Sequence, residues 1–100
     1  MPLYMILGAD APDSLPKRRA VRPKHLERMN VLKDAGRLVL AGPLPAIDSP
    51  DPGPAGFTGS LIVAEFESQE AARTWINADP YVTEGVFKSV DVRPFLRVLP

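Results

Sequence analysis

The sequence contains no cysteine and only one histidine, His25, among its 100 residues. The absence of cysteine excludes a disulfide framework, a thiolate metal site and a cysteine nucleophile. A single histidine excludes a histidine-rich zinc site and the HExxH motif of metalloproteases. If the protein is an enzyme, His25 is therefore its only side chain that ordinarily exchanges a proton near neutral pH.

An excess of charge of one sign is also missing, because 12 Lys and Arg residues balance 12 Asp and Glu residues. A net charge of zero argues against a nucleic-acid-binding protein that relies on a broad basic field. No run of residues approaches the roughly 18 apolar residues of a membrane span. Residues 1–10 lack the basic start and the long apolar run of a signal peptide. We therefore expect a cytoplasmic protein without nucleic-acid or membrane partners.

The length of 100 residues predicts a single domain, residues 1–100, and the apolar fraction of 45% is that of an ordinary globular protein. Short apolar runs alternate with two longer segments that carry helix-capping residues. The resulting order β-α-β-β-α-β predicts an α+β fold, the ferredoxin-like plait, in which an antiparallel sheet carries both helices on one face. The predicted strands are residues 3–9, 37–42, 58–66 and 87–98, and the predicted helices lie within residues 11–36 and 68–78.

Proline is abundant, with 12 residues in the chain, and several prolines cluster in residues 43–56. They exclude a helix or a central strand there and predict a long loop, either a binding loop or a tolerated disordered insertion. Pro23 lies inside the first predicted helix and removes one backbone donor. It predicts a kink or a two-part helix that is regular from about Arg22 onward. Ser14 or Asp13 is expected to cap the start of this helix.

The predicted strands are apolar on both faces. The first strand places Leu3, Met5 and Leu7 on one face, and Tyr4 and Ile6 on the other. Because two helices cover only one face of the sheet, the other face would form a larger apolar patch than monomers usually expose. We therefore predict a two-fold homodimer that packs sheet against sheet into a barrel. The alternative is that the last strand and the long loop cover this face within one chain.

His25 lies in the apolar stripe of the first predicted helix, together with Val21, Met29 and Leu32. Asp79 follows the apolar face of the second helix by one turn. An imidazole and a carboxylate from neighbouring helices could meet there as an acid–base pair. The carboxylate would fix the tautomer of the imidazole and stabilise its protonated form. The residues alone leave two alternatives open, a structural histidine and a simple turn at the aspartate.

Arginines accompany the histidine on the first predicted helix. Arg22 lies three residues before His25 and could hold an anionic or oxygen-rich substrate, and Arg18 lies on the same side of the helix. The alternative, and the commoner arrangement, is that Arg18, Arg19 and Arg22 form a solvated face. Asp10 and the other loop carboxylates lack the spacing of a calcium-binding loop, so we expect no metal site there.

The chain closely resembles the YciI-like family over two runs, RAVRPKHLERMNVLKDAGRLVLAGP and GSLIVAEFESQEAARTWINADPYVTEGVFKSVDVRPF. The resemblance covers nearly the whole chain. It rests on the order and spacing of an R-x-x-H-L stretch, a Gly-Pro pair after the second strand, a Gly-Ser pair at the third strand, and Asp-Pro-Tyr. It implies a dimeric α/β barrel built from ferredoxin-like plaits, as in the muconolactone isomerase-like superfamily.

The resemblance further implies that His25 and Asp79 form the family's catalytic dyad. One relative in this family is a dehydrochlorinase that acts on a chlorinated hydroxyhydroquinone, and most members have no established substrate. The segment 43–56 is longer than the family pattern leads us to expect, which weakens any inference of the substrate from relatives. By resemblance, the positions around the ligand pocket are Arg22, Gly42, Pro43, Ser60, Pro80 and Tyr81.

The leading hypothesis is a dimeric lyase or isomerase that uses no cofactor and no metal and acts on a small oxygenated metabolite. His25 would be its general acid and base, with Asp79 orienting the imidazole. Arg22 or Ser60 would anchor the substrate. The alternative is a non-catalytic module that binds a small molecule or serves as an accessory on the same barrel. A cofactor-free oxygenase on this scaffold is a third hypothesis.

Overall fold

The computed structural model describes residues 1–100 and has the element order β-α-β-β-α-α-β. Apart from one additional short helix, this is the predicted ferredoxin-like plait. None of the helices combines the length and the apolar character that crossing a bilayer requires. The elements are β1 (Leu3–Asp10), α1 (Leu15–Asp34), β2 (Leu38–Pro45), β3 (Phe57–Glu65), α2 (Gln69–Asn77), α3 (Pro80–Thr83) and β4 (Phe87–Phe95).

The four strands form one antiparallel sheet in the order β2-β3-β1-β4. Because side chains alternate between the two faces of a strand, every second residue of β1 faces the helices. Tyr4 and Ile6 of β1 pair in register with Ala64 and Ile62 of β3. All four are buried in the same apolar cluster as Met29 of α1. The core therefore lies between the helices and one face of the sheet.

The opposite face of the sheet, here called the open face, is apolar on three strands and polar on the fourth. Leu7 of β1 and Leu40 of β2 are 37% and 49% exposed. On β4, which lies beside β1, Asp91 and Arg93 form a surface ion pair in register with the open-face residues of β1. The predicted apolar face is thus interrupted at one edge. Since Leu7 and Leu40 remain exposed, coverage of this face by the same chain is incomplete.

The proline-rich loop begins later than predicted, because β2 continues through Pro43 to Pro45. The prediction of a loop from residue 43 was wrong because β2 is an edge strand with β3 as its only neighbour. An edge strand tolerates proline where the missing N–H would face away from the neighbouring strand. One 3-10 turn, Gly53–Ala55, lies in the remaining connection. At the other end of the chain, β4 is also shorter than the predicted strand 87–98.

α1 is one uninterrupted helix, so the predicted two-part helix is wrong. Pro23 and Arg19 are both exposed. The carbonyl of Arg19, which loses its partner at Pro23, therefore lies on the solvent side, where water can satisfy it. Ser14 occupies the N-cap position, but its side chain makes no capping hydrogen bond, and Asp13 precedes it with a φ of 58°. Gly36, with a φ of 72°, follows the helix as expected.

Asp79 does not lie on the second helix, which ends before this residue. Ser68 caps the start of α2, because its hydroxyl accepts the Ala71 N–H. Asp79 instead caps α3, because its carboxylate accepts the backbone N–H of Tyr81 at 2.9 Å and Pro80 occupies the first helical position. This cap, rather than the face of α2, sets the direction of the Asp79 side chain.

Gly59 is expected to tolerate a side chain poorly. A Cβ atom at this position would collide with the backbone oxygen of Gly8 on β1, so Gly59→Ala must push β3 away from β1. We expect the free energy of unfolding, measured by urea denaturation, to fall by about 1–3 kcal/mol. Gly42→Ala on β2 is the matched control, because a Cβ there meets nothing within 4 Å. Equal losses in the two variants would show that the close approach of β1 and β3 is not the cause.

Candidate active site

His25 of α1 and Asp79 at the start of α3 meet through their side chains. His25 Nδ1 lies 3.0 Å from Asp79 Oδ1, and the two side chains are 9% and 0% exposed. An ionised carboxylate can only accept a hydrogen bond, so Nδ1 carries the proton in this contact and donates it to Asp79. In the neutral imidazole, the other ring nitrogen, Nε2, is then unprotonated and able to accept a proton.

Two further groups hold the carboxylate of Asp79. Arg28 Nη1 donates to Oδ2 at 2.9 Å, and the Tyr81 N–H donates to Oδ1. Burial by itself would raise the pKa of Asp79. The hydrogen bond and charge of His25, the Tyr81 amide and the charge of Arg28 outweigh burial, and the pKa lies below its ordinary value of 3.8. Asp79 is therefore ionised at neutral pH.

Arg28 is itself held in place by α2. Its Nη2 donates to the Trp75 carbonyl at 2.7 Å, and its guanidinium lies 4.4 Å from the centroid of the Trp75 indole ring. A planar guanidinium that both stacks and donates two hydrogen bonds has little rotational freedom. In the sequence, Arg28 only interrupts the apolar stripe of α1. In the structure it connects α1 to Asp79 and to α2.

The ring of Tyr81 limits the rotation of the His25 imidazole. The two rings stack with centroids 3.9 Å apart and planes 8° apart. The rings of Phe87 and Tyr81 pack in an edge-to-face arrangement, with their centroids 5.4 Å apart. Gly8 makes room for this arrangement, because a Cβ at Gly8 would collide with the Phe87 ring. Burial raises the pKa of Tyr81 above its ordinary value of 10.0, despite nearby guanidinium groups, so the phenol is neutral.

His25 lines a cavity of about 230 Å³, here called the inner cavity. Nε2 makes no hydrogen bond within the protein, and no buried side-chain nitrogen or oxygen of the chain lacks a partner, so Nε2 is reached by solvent. Of the residues expected around the pocket, Pro80 does not line this cavity and lies at the start of α3. The others do line it, namely Arg22, Gly42, Pro43, Ser60 and Tyr81.

Arg18 lines the inner cavity, so the interpretation of this arginine as part of a solvated face was wrong. Its side chain is 4% exposed. It donates to Asp10 from Nε at 2.8 Å and from Nη2 at 2.7 Å, and to Ser60 Oγ at 3.0 Å. Its position two turns before His25 placed it on the same helix face. The sequence could not show that its partner is Asp10, which ends β1 rather than lying in a loop.

Arg22 and Arg19 are exposed, as the solvated-face interpretation predicts, although Arg22 also lines the inner cavity. The chain has no cluster of three or more His, Cys, Asp or Glu side chains that could hold a metal ion. The groups that line the inner cavity are an imidazole, two guanidinium groups, a phenol and a hydroxyl. Such a set can move a proton and can bind the oxygen atoms of a small ligand.

Residues 2–96 match the YCII-related domain. The chain is 59% identical to the protein YciI of Escherichia coli O6:H1 over 96 residues, which are 96% of this chain and 98% of the relative. It is 50% identical to a protein of Haemophilus influenzae over 95 residues, which are 95% of this chain and 97% of the relative.

A solved structure with the same fold is that of 5-chloro-2-hydroxyhydroquinone dehydrochlorinase from Burkholderia phenoliruptrix AC1100, in complex with 2,5-dihydroxybenzoquinone. The two structures superpose with a TM-score of 0.81 and 28% identity, covering 94% of this chain and 93% of the dehydrochlorinase. A match along almost the whole chain, together with relatives of the same length, establishes the family. The chain belongs to the family defined by the YCII-related domain.

Proposed function

We propose that the protein is a lyase or isomerase that needs no cofactor and that exchanges a proton between His25 and a small oxygenated metabolite. The observation that carries this proposal is the contact of His25 Nδ1 with Asp79 Oδ1 at 3.0 Å, beside a cavity that the same imidazole lines. A structural histidine would need no accessible second nitrogen. Here Nε2 makes no hydrogen bond within the protein and is not sealed from solvent.

In the proposed reaction, Nε2 of neutral His25 takes a proton from a substrate hydroxyl or from a carbon next to a carbonyl. The imidazolium that forms lies against the carboxylate of Asp79, which stabilises its positive charge. Arg28 and the Tyr81 amide keep this carboxylate ionised and oriented. The imidazolium then returns the proton to another atom of the substrate, as in an isomerase, or to the departing group, as in a lyase.

The dehydrochlorinase relative supports this reaction class. It is 28% identical to this chain and acts on a chlorinated hydroxyhydroquinone. Loss of hydrogen chloride from such a compound needs no redox cofactor. It requires the removal of a proton, and a single imidazole can remove it. By analogy, the substrate proposed here is a planar, oxygen-rich molecule, with Arg22 and Ser60 binding its oxygen atoms from the walls of the inner cavity.

The variant His25→Asn tests the proposed role. The asparagine amide can replace the Nδ1–H that donates to Asp79, whereas nothing replaces Nε2. With 5-chloro-2-hydroxyhydroquinone and related quinols as trial substrates, we expect turnover to fall by about 10²–10⁴-fold while the melting temperature stays close to that of the original protein. Chloride release and quinone absorbance measure the reaction, and differential scanning calorimetry measures stability.

The opposite pattern would support a different function. If His25→Asn lowers the melting temperature and leaves turnover unchanged, the histidine is structural. If the trial compounds bind saturably and none is converted at any pH, a non-catalytic small-molecule-binding module is the better description. Oxygen uptake in the presence of a quinol would instead indicate the oxygenase hypothesis.

We also propose that residues 1–100 form one domain and that two copies pair through their open faces. Leu7 and Leu40 are large apolar side chains exposed on this face, which a second copy would cover. Light scattering is expected to give a mass of about twice the 10.9 kDa of one chain. Leu40→Glu should shift this mass toward one chain. Val31→Glu should not, because Val31 is 69% exposed on α1, away from the sheet. A single-chain mass for the unmodified protein would rule out the dimer.

A further inference from the structure

A second cavity of about 300 Å³, here called the outer cavity, adjoins the inner one. The two cavities share four lining residues, Arg18, Arg22, Pro43 and Tyr81. The proline-rich connection, residues 46–56, contributes part of the wall of the outer cavity. A ligand that occupied both spaces would therefore have one end beside His25 and the other end beneath this connection.

The outer cavity carries more positive than negative charge. The charge of Arg18 is compensated by Asp10 at 2.7 Å. Arg19 and Arg22 also line the cavity, and neither forms a hydrogen bond or an ion pair through its side chain with another residue. The one carboxylate on the wall, that of Asp51, also lacks an ion pair. Two guanidinium groups and one carboxylate without ion pairs therefore line the outer cavity.

We propose that the outer cavity binds an oxyanion, a carboxylate or a phosphate group, at Arg19 and Arg22. The ligand of the site is then an acidic small molecule whose uncharged, oxygenated part reaches the inner cavity. That the oxygenated part of the ligand reacts beside His25 rests on the proposed function. The anion site does not rest on it. Nothing in the lyase or isomerase chemistry by itself requires the substrate to carry a charge.

The physical basis of the anion site is the geometry of the guanidinium donors beside a partly aromatic wall. A guanidinium offers paired N–H donors that match the two oxygens of a carboxylate or of a phosphate. The aromatic rings of Phe57 and Tyr81 line the same cavity and exclude water from part of the ligand, which strengthens the interaction between the charges. The carboxylate of Asp51 competes with the ligand for the two arginines. It therefore lowers the affinity for an anion.

A pair of probes that share one ring and differ in a single substituent, charged in one and neutral in the other, tests the proposal. The probes are 2,5-dihydroxybenzoate and 2,5-dihydroxybenzyl alcohol, titrated into the protein by isothermal calorimetry at fixed ionic strength. We expect the acid to bind about tenfold more tightly than the alcohol, as one charge-assisted pair would give. The preference should disappear in Arg19→Met/Arg22→Met. Phenyl phosphate compared with phenol then shows whether phosphate is accepted as well as carboxylate.

Three control variants show whether the preference for the acid arises at the two arginines of the outer cavity. Lys24→Met removes a positive charge from α1 outside both cavities and should leave the preference intact. Asp51→Asn should tighten binding of the acid and leave binding of the alcohol unchanged. His25→Asn should keep the preference for the acid even though it strongly lowers the proposed turnover, so a failure of catalysis is distinguishable from a failure of anion binding.

Several results would overturn the anion site. One is equal affinity of the unmodified protein for the acid and the alcohol. Another is a preference that survives Arg19→Met/Arg22→Met, or one that Lys24→Met abolishes to the same extent. Absence of binding by every acidic probe at millimolar concentration would also overturn it.

Discussion

Asp79→Ala is expected to lower the free energy of unfolding by about 3–5 kcal/mol, the usual effect of removing one partner of a buried ion pair. The loss is large because the Asp79 side chain is fully buried, and its removal leaves Nη1 of Arg28, the His25 imidazole and the Tyr81 amide without their acceptor. A protein of this size has a total stability of about 5–15 kcal/mol. Urea denaturation measures the effect at one fixed protein concentration, because the stability of a dimer depends on concentration.

Asp79→Asn separates the charge of this residue from its shape. Asparagine can still accept from the Tyr81 amide, so we expect a smaller loss of stability than in Asp79→Ala. The proposed turnover should still fall in both variants, because neither provides a carboxylate to stabilise the imidazolium of His25. Equal stability of Asp79→Ala and the original protein would show that the contacts of Asp79 contribute no net stability.

The dependence of stability on pH follows from the lowered pKa of Asp79. A carboxyl whose pKa is lower in the folded state than in the unfolded state contributes stability that is fully present above the unfolded value, near 3.8. This contribution is lost as the pH falls through the folded pKa. The original protein should therefore lose more stability than Asp79→Asn between neutral pH and this acidic range. Parallel pH profiles for the two proteins would contradict the lowered pKa.

Asp10→Ala is expected to be similarly destabilising, by about 3–5 kcal/mol, because it leaves the guanidinium of Arg18 buried without a counter-charge. Both side chains of this pair are 4% exposed. Chemical denaturation measures the loss. The same variant should weaken ligand binding in the inner cavity, since Asp10 holds Arg18, which in turn donates to Ser60 on the cavity wall.

The surface pair of Asp91 and Arg93 provides a matched control for burial. It joins the same residue types at 2.8 Å, but its side chains are 43% and 70% exposed. In a single chain solvent screens such a pair, so at protein concentrations that keep the chain monomeric we expect Asp91→Ala to change the free energy of unfolding by less than about 1 kcal/mol. If Asp10→Ala and Asp91→Ala have equal effects, burial is not what makes the Asp10–Arg18 pair important.

The sequence predicted the architecture well because each local signal agreed with the topology. Alternation along the strands, the Ser68 cap of α2 and Gly36 after α1 all act within a few residues. The errors occurred where a neighbour decides the outcome. Pro43 is acceptable in β2 because that strand lies at the sheet edge, and Pro23 is acceptable in α1 because it faces solvent.

The candidate site shows the same division. Helix periodicity put His25 on the buried face of α1 and placed Arg18 near it, since both facts depend on spacing within one helix. It could not decide whether Arg18 was solvated or buried, because that depends on Asp10, eight residues earlier at the end of β1. Nor could it assign Arg28 a role, because Trp75 and Asp79, the partners of Arg28, lie about fifty residues away along the chain.

The sequence by itself determined the order of strands and helices, the absence of cysteine chemistry and the uniqueness of His25 as a histidine, since these depend on composition and local periodicity. Only the tertiary structure decided that the carboxylate of Asp79, at the start of α3, contacts Nδ1 of that histidine. It also decided that Arg18 has a counter-charge while Arg19 and Arg22 have none. The physical reason is that ion pairs and cavities form between segments distant in sequence. Their energies depend on burial and direction, which local patterns do not encode.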